Sequence, residues 1–346
     1  SRFASNKEIR RLVNAMAIQS RGIFMITKSN NMTAKDISAL IKESKRPAMI
    51  AAIFYNPSKP EWAINTLKEI EEERVKGYEI WGQVSCRPLT MEFTMKEPYM
   101  FEGLSSWQEY MTEKNKDKKK MILKNKYFRE KVLEEIKDTT KNKLFVGNWE
   151  RITLLSTDKK ENETLEGRNL EIIKDITKKE PLDWLLDNAI DNGMNDLFIA
   201  ELLNSEIGPV KKLLKNQSST ISLSDAGAHL SLLCDAGYGL DLLGKWVRDL
   251  NAMKIEDAVY KLTAKQADIC RIPRRGRLLP GYYADCILFD KEIIGTSKTK
   301  RVRDLPDGSS RLITEAVGLQ KVWVNGEEYN RKKGKPSGKI IKSFLT

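Results

Sequence analysis

Three short apolar runs separated by amphipathic helices constrain this chain more than any other feature. "GIFMIT" (22–27) and "AMIAAIFY" (48–55) are nearly continuous in apolar residues, the mark of strands covered on both faces, and "YEIWGQVSC" (78–86) reads as a third strand. Helical segments lie between and before them. "SNKEIRRLVNAMAIQS" (5–20) opens with Ser5 and, three residues on, Glu8, in capping-box spacing; "TAKDISALIKES" (33–44) repeats the device with Thr33 and Asp36. "SKPEWAINTLKEIEEERVKG" (58–77) has Pro60 near its first turn, an apolar face of Ile64, Leu67, Ile70 and Val75, and Gly77 at its end. Strand, helix and strand with short connections is the grammar of a parallel sheet, since two parallel neighbours need a crossover between them. The expected fold class is therefore α/β.

The regular order breaks after the third strand. Residues 91–140 show no alternating strand and 103–138 read as charged helix, so a charged helical insertion is expected at about 91–140. "KLFVGNWERITLLST" (143–157) returns to β character, and "NLEIIKDITKKEPLDWLLDNAIDN" (169–192) reads as two helices divided at Pro181. "STISLSD" (219–225) is the next buried strand. Beyond residue 270 the pattern changes: "RRGRLLPGYYADCILFD" (274–290) puts a Pro-Gly turn before an apolar strand, and "GLQKVWVNGEEYN" (318–330) is a hairpin with Asn325-Gly326 at a type I′ turn. Two portions are expected, 1–270 on the parallel sheet and a β-rich 271–346.

Composition narrows the setting. Apolar residues make up 40% and charged residues 31% of 346, a globular balance rather than a disordered one. No apolar run is long enough to span a membrane. Cys86, Cys234, Cys270 and Cys286 are scattered without CxxC spacing, which suits a reduced, cytoplasmic setting. The net charge of +12 is spread along the chain. Its densest cluster, "KNKDKKKMILKNK" (114–126), lacks interleaved aromatics and reads as a solvated helix, so a nucleic-acid partner is disfavoured.

"TISLSDAGAHL" (220–230) carries the chemistry that the sequence offers. An apolar strand ends in Ser224-Asp225, followed by Gly227 and by His229, the chain's one histidine. An aspartate there suits either a turn or a site at the strand's end. Arg87, just beyond the third strand, could hold a carboxylate bidentately or form a local ion pair. Cys86 beside it suits a soft ligand, a nucleophile or an inert buried thiol. "DAGYGLDLLGKW" (235–246) has glycines without phosphate-loop spacing and reads as a tight loop.

Together, "GQVSCRPL" (82–89), "LEGRNLEII" (165–173), "SLSDAGAHL" (222–230), "LTAKQADICRIPRRGRLLPGYYADCILFD" (262–290) and "VWVNGEEYN" (322–330) resemble the amidohydrolase superfamily, in particular its N-acyl-D-amino-acid deacylases. The most specific pair is SDAGAH and, some fifty residues later, Gly-x-Leu-x-Pro-Gly-x-x-Ala-Asp (276–285). The resemblance implies a partial TIM-like (β/α) barrel of the amidohydrolase type with a C-terminal β-sandwich portion; four or five barrel strands are legible here, and the others would lie before Ser1 or on a second chain. It implies a hydrolase of non-peptide carbon–nitrogen bonds acting on a small N-acyl amino acid or related amide. Asp225 would be the general base and a zinc ligand, His229 a supporting catalytic residue, and Arg87 and Ser224 substrate-binding residues. The family also takes histidines from two middle strands; here the corresponding positions lie around Thr27 and Ile53, and neither strand holds one. That departure keeps an alternative open, a catalytically degenerate barrel that binds a ligand or partner. A homo-oligomer is compatible with either.

Overall fold

The computed structural model describes residues 4–29, 31–138, 140, 143–224, 236–330 and 337–344. The chain opens with α1 (Asn6–Ile18), β1 (Phe24–Ile26), α2 (Ala34–Ser44), β2 (Ala48–Ile53), α3 (Trp62–Val75) and β3 (Ile80–Val84). These are the elements expected from the apolar runs. Ser5 caps α1 by accepting from the Glu8 amide, and Thr33 and Asp36 close a full capping box on α2. Helix α3 buries Ala63, Leu67 and Ile70, spaced by about one and two turns, whereas Val75, expected on the same face, is exposed in the last turn. The helix lies so close to the sheet that a Cβ on Gly82 would stand 2.7 Å from both Ile53 Cδ1 and Leu67 Cδ2. A glycine at that position in β3 is what permits the approach.

A second unit follows. It contains β4 (Leu89–Phe93), α4 (Gln108–Thr112), α5 (Lys116–Lys124), α6 (Lys126–Lys137), β5 (Ile152–Ser156), α7 (Leu170–Thr177), α8 (Pro181–Asp191) and β6 (Leu197–Leu203). Its sheet is antiparallel in the order β4-β6-β5. Two sequence expectations are corrected here. Residues 91–140 do contain strand, because β4 runs to Phe93. The interruption is also larger than 91–140: the charged helices share one hydrophobic core with residues 143–202, through Leu123, Phe128, Val132 and Ile136 on their inner faces. They are amphipathic, with most of their charge on the outer side; Arg129 of α6 is the inward exception, pairing with Asp183 and Asp187 of α8 at 2.7 Å each.

The chain then returns through α9 (Ile207–Lys215) to β7 (Ser219–Ile221), which pairs with β3 in parallel register, Gly82 with Ser219 and Val84 with Ile221. The parallel sheet is ordered β1-β2-β3-β7. Among the described residues it is an open four-stranded sheet, and the strand expected at 143–157 belongs to the antiparallel sheet instead. After β7 come α10 (Tyr238–Asp241), a π-helix (Leu242–Asp249), α11 (Ile255–Leu262) and α12 (Ala264–Ile269). The reading of 235–246 as a tight loop is therefore wrong for its described part, which is helical. Glycine does have a role there, since a Cβ on Gly244 would stand 2.5 Å from the Ile294 carbonyl oxygen.

The tail forms β8 (Cys286–Phe289), β9 (Gly295–Thr296), β10 (Lys300–Val302), β11 (Arg311–Ile313), β12 (Ala316–Val317), β13 (Leu319–Val324) and β14 (Glu327–Glu328). They pair antiparallel as β14-β13-β8, β10-β11 and β12-β9. At the β13–β14 turn Asn325 and Gly326 have φ of 54° and 82°, both left-handed as a type I′ turn requires.

Candidate active site at the strand ends

Parallel strands gather their chemistry where they end, because the connecting loops there are free of the sheet's hydrogen-bonding pattern. Strand β3 ends in Ser85-Cys86-Arg87 and its neighbour β7 leads to Ser222 and Ser224. Arg87 and Ser224 are half-buried at the same end of the sheet. Asp225 and His229 lie outside the described residues. Gln83 on β3 donates to Ser222 Oγ at 3.1 Å, so an amide and a hydroxyl join the two strand ends.

Cys86 is buried, and its thiol donates to the Tyr238 carbonyl at 3.0 Å, while its own carbonyl accepts from Trp246 Nε1 at 2.7 Å. These two bonds fasten α10 and the π-helix over the end of β3. Between them sits Asp241. Its Oδ2 is buried and, among the described residues, has no hydrogen-bond partner. Burial pushes the Asp241 carboxyl up, against the opposing pull of the Arg87 and Lys245 cations. π-Turns of this kind often mark functional segments.

Asn204, just beyond β6, is a residue that sequence reasoning missed. Its side-chain amide donates to the carbonyls of Ser85 at 2.8 Å and Arg87 at 3.0 Å, and its Oδ1 accepts from the Tyr55 amide at 3.2 Å. Its own N–H donates to the Tyr55 carbonyl at 2.8 Å. It is buried with φ of 60°, a conformation that asparagine tolerates better than most residues. The available signal was an asparagine directly after the apolar run "LFIAELL". Tyr55, at the end of β2, has its phenol held above the usual range by burial and by the neighbouring Glu206 carboxylate.

The other strand ends do not offer metal ligands. Ile53 is fully buried in the β2 ladder and Thr27 is exposed. Lys28 is turned to α3, where it donates to Thr66 at 3.2 Å and Glu69 at 2.7 Å. The Cys86 thiol is spent on a carbonyl. Among the described residues there is no group of three or more His, Cys, Asp or Glu side chains that could hold a metal ion, and no helix is long and apolar enough to cross a membrane.

Within the tail, the Gly-x-Leu-x-Pro-Gly-x-x-Ala-Asp stretch is scaffolding. Asp285 accepts from the Asn325 amide at 2.8 Å and pairs with Arg275, which donates to Asn325 Oδ1 at 2.7 Å. The motif pins the β13–β14 turn.

An α/β chain with its polar side chains collected at the ends of parallel strands, followed by an antiparallel tail, has the arrangement that α/β enzymes of several classes share. Residues 12–329 match the model of the amidohydrolase family, and the chain belongs to it. D-aminoacylase of Alcaligenes xylosoxydans xylosoxydans is 32% identical over 85 residues, 25% of this chain and 16% of that protein. An uncharacterised protein of Mycobacterium tuberculosis is 33% identical over 135 residues, 37% of this chain and 22% of that one. Among solved structures, a D-aminoacylase superposes with a TM-score of 0.52 at 18% identity, covering 94% of this chain and 56% of that one. The N-acyl-D-glutamate deacylase of Bordetella bronchiseptica, complexed with zinc and a phosphonate inhibitor that mimics the tetrahedral intermediate, gives 0.51 at 16% identity with the same coverage. These likenesses establish an amidohydrolase-type fold. The chain spans about half the length of these solved relatives.

Proposed function

We propose that this chain is the sheet-and-tail portion of a (β/α)-barrel hydrolase that cleaves the amide C–N bond of an N-acyl amino acid. One observation carries the reading: β7, which leads through Ser224 to Asp225, is hydrogen-bonded in parallel to β3, whose end bears Arg87. A base contributed by one strand and an anion anchor contributed by its neighbour are what such a substrate needs. The family match over 12–329 and the relatives that deacylate N-acyl-D-amino acids support the same substrate class.

In this reading Arg87 holds the substrate carboxylate with its planar, two-pronged donor set, and Ser224 contributes a hydroxyl. Asp225 takes a proton from the attacking water as its oxygen bonds to the carbonyl carbon, then passes that proton to the departing nitrogen as the C–N bond breaks. His229 orients Asp225. Zinc is the cofactor of the reading, with Asp225 its ligand; when bound, it lowers the pKa of water and polarises a carbonyl. The described strand ends do not fit a metal ion, so the steps above are assigned to the chain's own residues. The tail's small ladders and the strands missing from the open sheet are proposed to complete a sandwich and a barrel with the upstream half of the same chain or with a second chain.

The test is Asp225→Asn in the complete protein, assayed on a panel of N-acyl amino acids. Loss of turnover of at least about a hundredfold is expected for removal of a general base; retained turnover would refute the role. A second reading, a barrel that binds without hydrolysing, would account for the lack of imidazole at Thr27 and Ile53, but the family match and the deacylase relatives do not favour it. Metal analysis of the purified complete protein separates the two: no bound zinc and no gain of turnover on adding it would select the binding protein.

A further inference from the structure

The strand-end cluster lies at one end of β7, and a second polar cavity opens at the other. Its volume is about 430 Å³, within the range of small-molecule sites, roughly 300–1,000 Å³. Its walls come from the end of α9, the connection through Gln217 into β7, the loop at 251–254 and α11. Three lysines line it, opposed by one carboxylate, Asp257. Lys261 of α11 is buried, only 6% exposed, and donates to the Asn216 carbonyl at 3.0 Å. An ammonium has three donors, so Lys261 lines the cavity with two to spare. Lys215 and Lys254 are exposed, and neither enters an ion pair with a described residue. A second buried lysine stands beside the first: Lys265 of α12 donates to the carbonyls of Gln217 and Ser219 at 2.8 and 2.7 Å. The two ammonium groups thus hold the carbonyls of consecutive residues, Asn216 and Gln217, at the foot of β7. Buried cations answered only by carbonyl dipoles are costly unless an anion joins them.

The donors also select the kind of anion. No arginine lines the cavity, so the planar fork that suits a carboxylate is missing. Ammonium groups converging from separate segments act as point charges, which suits the several oxygens of a phosphate. Three cations against one carboxylate leave a surplus of two positive charges, which a phosphate dianion balances. Met253 and Tyr260 add an apolar and an aromatic wall, which suits an ester rather than a bare ion. We propose that this cavity binds a small phosphate monoester, at the opposite end of β7 from the strand-end site. The phosphate oxygens accept from Lys261, Lys215 and Lys254, and the organic group lies against Met253 and Tyr260. The site is independent of the proposed hydrolysis, which uses the far end of the strand.

Calorimetric titration of phenyl phosphate into the complete protein tests the site, at about pH 7.5, where the ester is a dianion. Benzoate is the control with the same ring and one carboxylate, and inorganic phosphate the control without a ring. The wild type should bind phenyl phosphate saturably and both controls more weakly. Lys261→Met should weaken phenyl phosphate by about tenfold or more, and the exposed pair Lys215→Met/Lys254→Met by about fivefold. Asp257→Asn should tighten it by up to about fivefold, a gain that a purely structural set of lysines does not produce. Arg87→Met should leave it unchanged. No saturable binding overturns the site. Binding that Arg87→Met abolishes does so too, because it puts the anion at the strand ends, and so does binding indifferent to Lys215, Lys254 and Asp257. Benzoate bound as tightly as phenyl phosphate overturns the choice of phosphate, and inorganic phosphate bound as tightly overturns the ester. The exposed variants decide the matter even if Lys261→Met fails to fold.

Discussion

The parallel-sheet unit and the antiparallel unit that interrupts it are built from different materials. The first buries a largely aliphatic core, with Ile37, Ile50, Ile53, Leu67, Ile70, Ile80 and Ile221 at its centre. The second buries aromatic rings in mutual contact: Trp107 stacks on Phe101 at 4.6 Å and meets Tyr110 and Phe128 edge-on at 5.1 and 5.2 Å, and Phe145 joins Phe101 to Trp149. Aliphatic branched residues suit flat faces covered on both sides by helices. Short helices packed over a small sheet leave irregular space that large rings fill. Each unit thus has its own centre, and what joins them at the site is narrow, with Asn204 as the main tie. The difference teaches that the site's alignment depends on a join, while each unit's stability depends on its own core.

The largest effect is expected from Trp107→Ala, which removes a fully buried ring and should cost about 3–5 kcal/mol. Hydrogen exchange should show opening concentrated in residues 89–203 with β1, β2, β3 and β7 still protected; uniform loss of protection would break the comparison. Asn204→Ala should cost about 1–3 kcal/mol, because the Tyr55 N–H and the Ser85 and Arg87 carbonyls lose a buried partner. Its signature is exchange at the strand ends with both cores retained. Denaturant melts give the sums.

A pH effect tests the parallel unit alone. Lys265 is buried, donates to the carbonyls of Gln217 and Ser219, and sits over the Trp81 ring at 4.9 Å with Arg74 on the same ring at 3.3 Å. Burial first, then the nearby Lys261 and Arg74 cations, pushes its ammonium down to about 7. The unfolded chain then binds more protons than the folded one between about pH 7 and the ordinary lysine value, so this group makes stability rise with pH across that window. The slope from this one group is limited to about 1.4 kcal/mol per pH unit. In urea melts run from pH 7 to 10 the rise should be reduced in Lys265→Met, leaving the share owed to the neighbouring Lys261, which burial pushes down to about 8, and missing from Lys261→Met/Lys265→Met. The smallest effect is expected from Thr33→Ala, which removes the α2 capping box at a cost of about 1 kcal/mol; thermal melts check it.

The parallel unit was legible in the sequence because its rules are local. Apolar run length gave β1, β2, β3 and β7, and capping residues gave α1 and α2, since each depends on neighbours a few residues away. The antiparallel unit was less legible. Strand β4 begins directly after Pro88 with a mixed sequence, and β6 makes sense only once β4 and β5 flank it, a pairing that spans about a hundred residues. The charged surface of α5 and α6 also concealed an inner face of one or two apolar residues per turn. At the site, Arg87 was legible as a cation after a strand. Asp241 and Asn204 were not, because an aspartate in a glycine-containing stretch and an asparagine after a strand look like ordinary turn residues. Only the tertiary neighbours Cys86, Trp246, Tyr55 and Ser85 give them meaning.

Asn204 has a mechanical consequence. Its amide grips the main chain of Tyr55, Ser85 and Arg87 from the tip of β6, so the strand ends and the antiparallel sheet form a single lever. If Arg87 anchors a ligand as proposed, drawing it by a fraction of an ångström pulls, through the Asn204 bonds to the Ser85 and Arg87 carbonyls, on Leu203 and the ladder behind it.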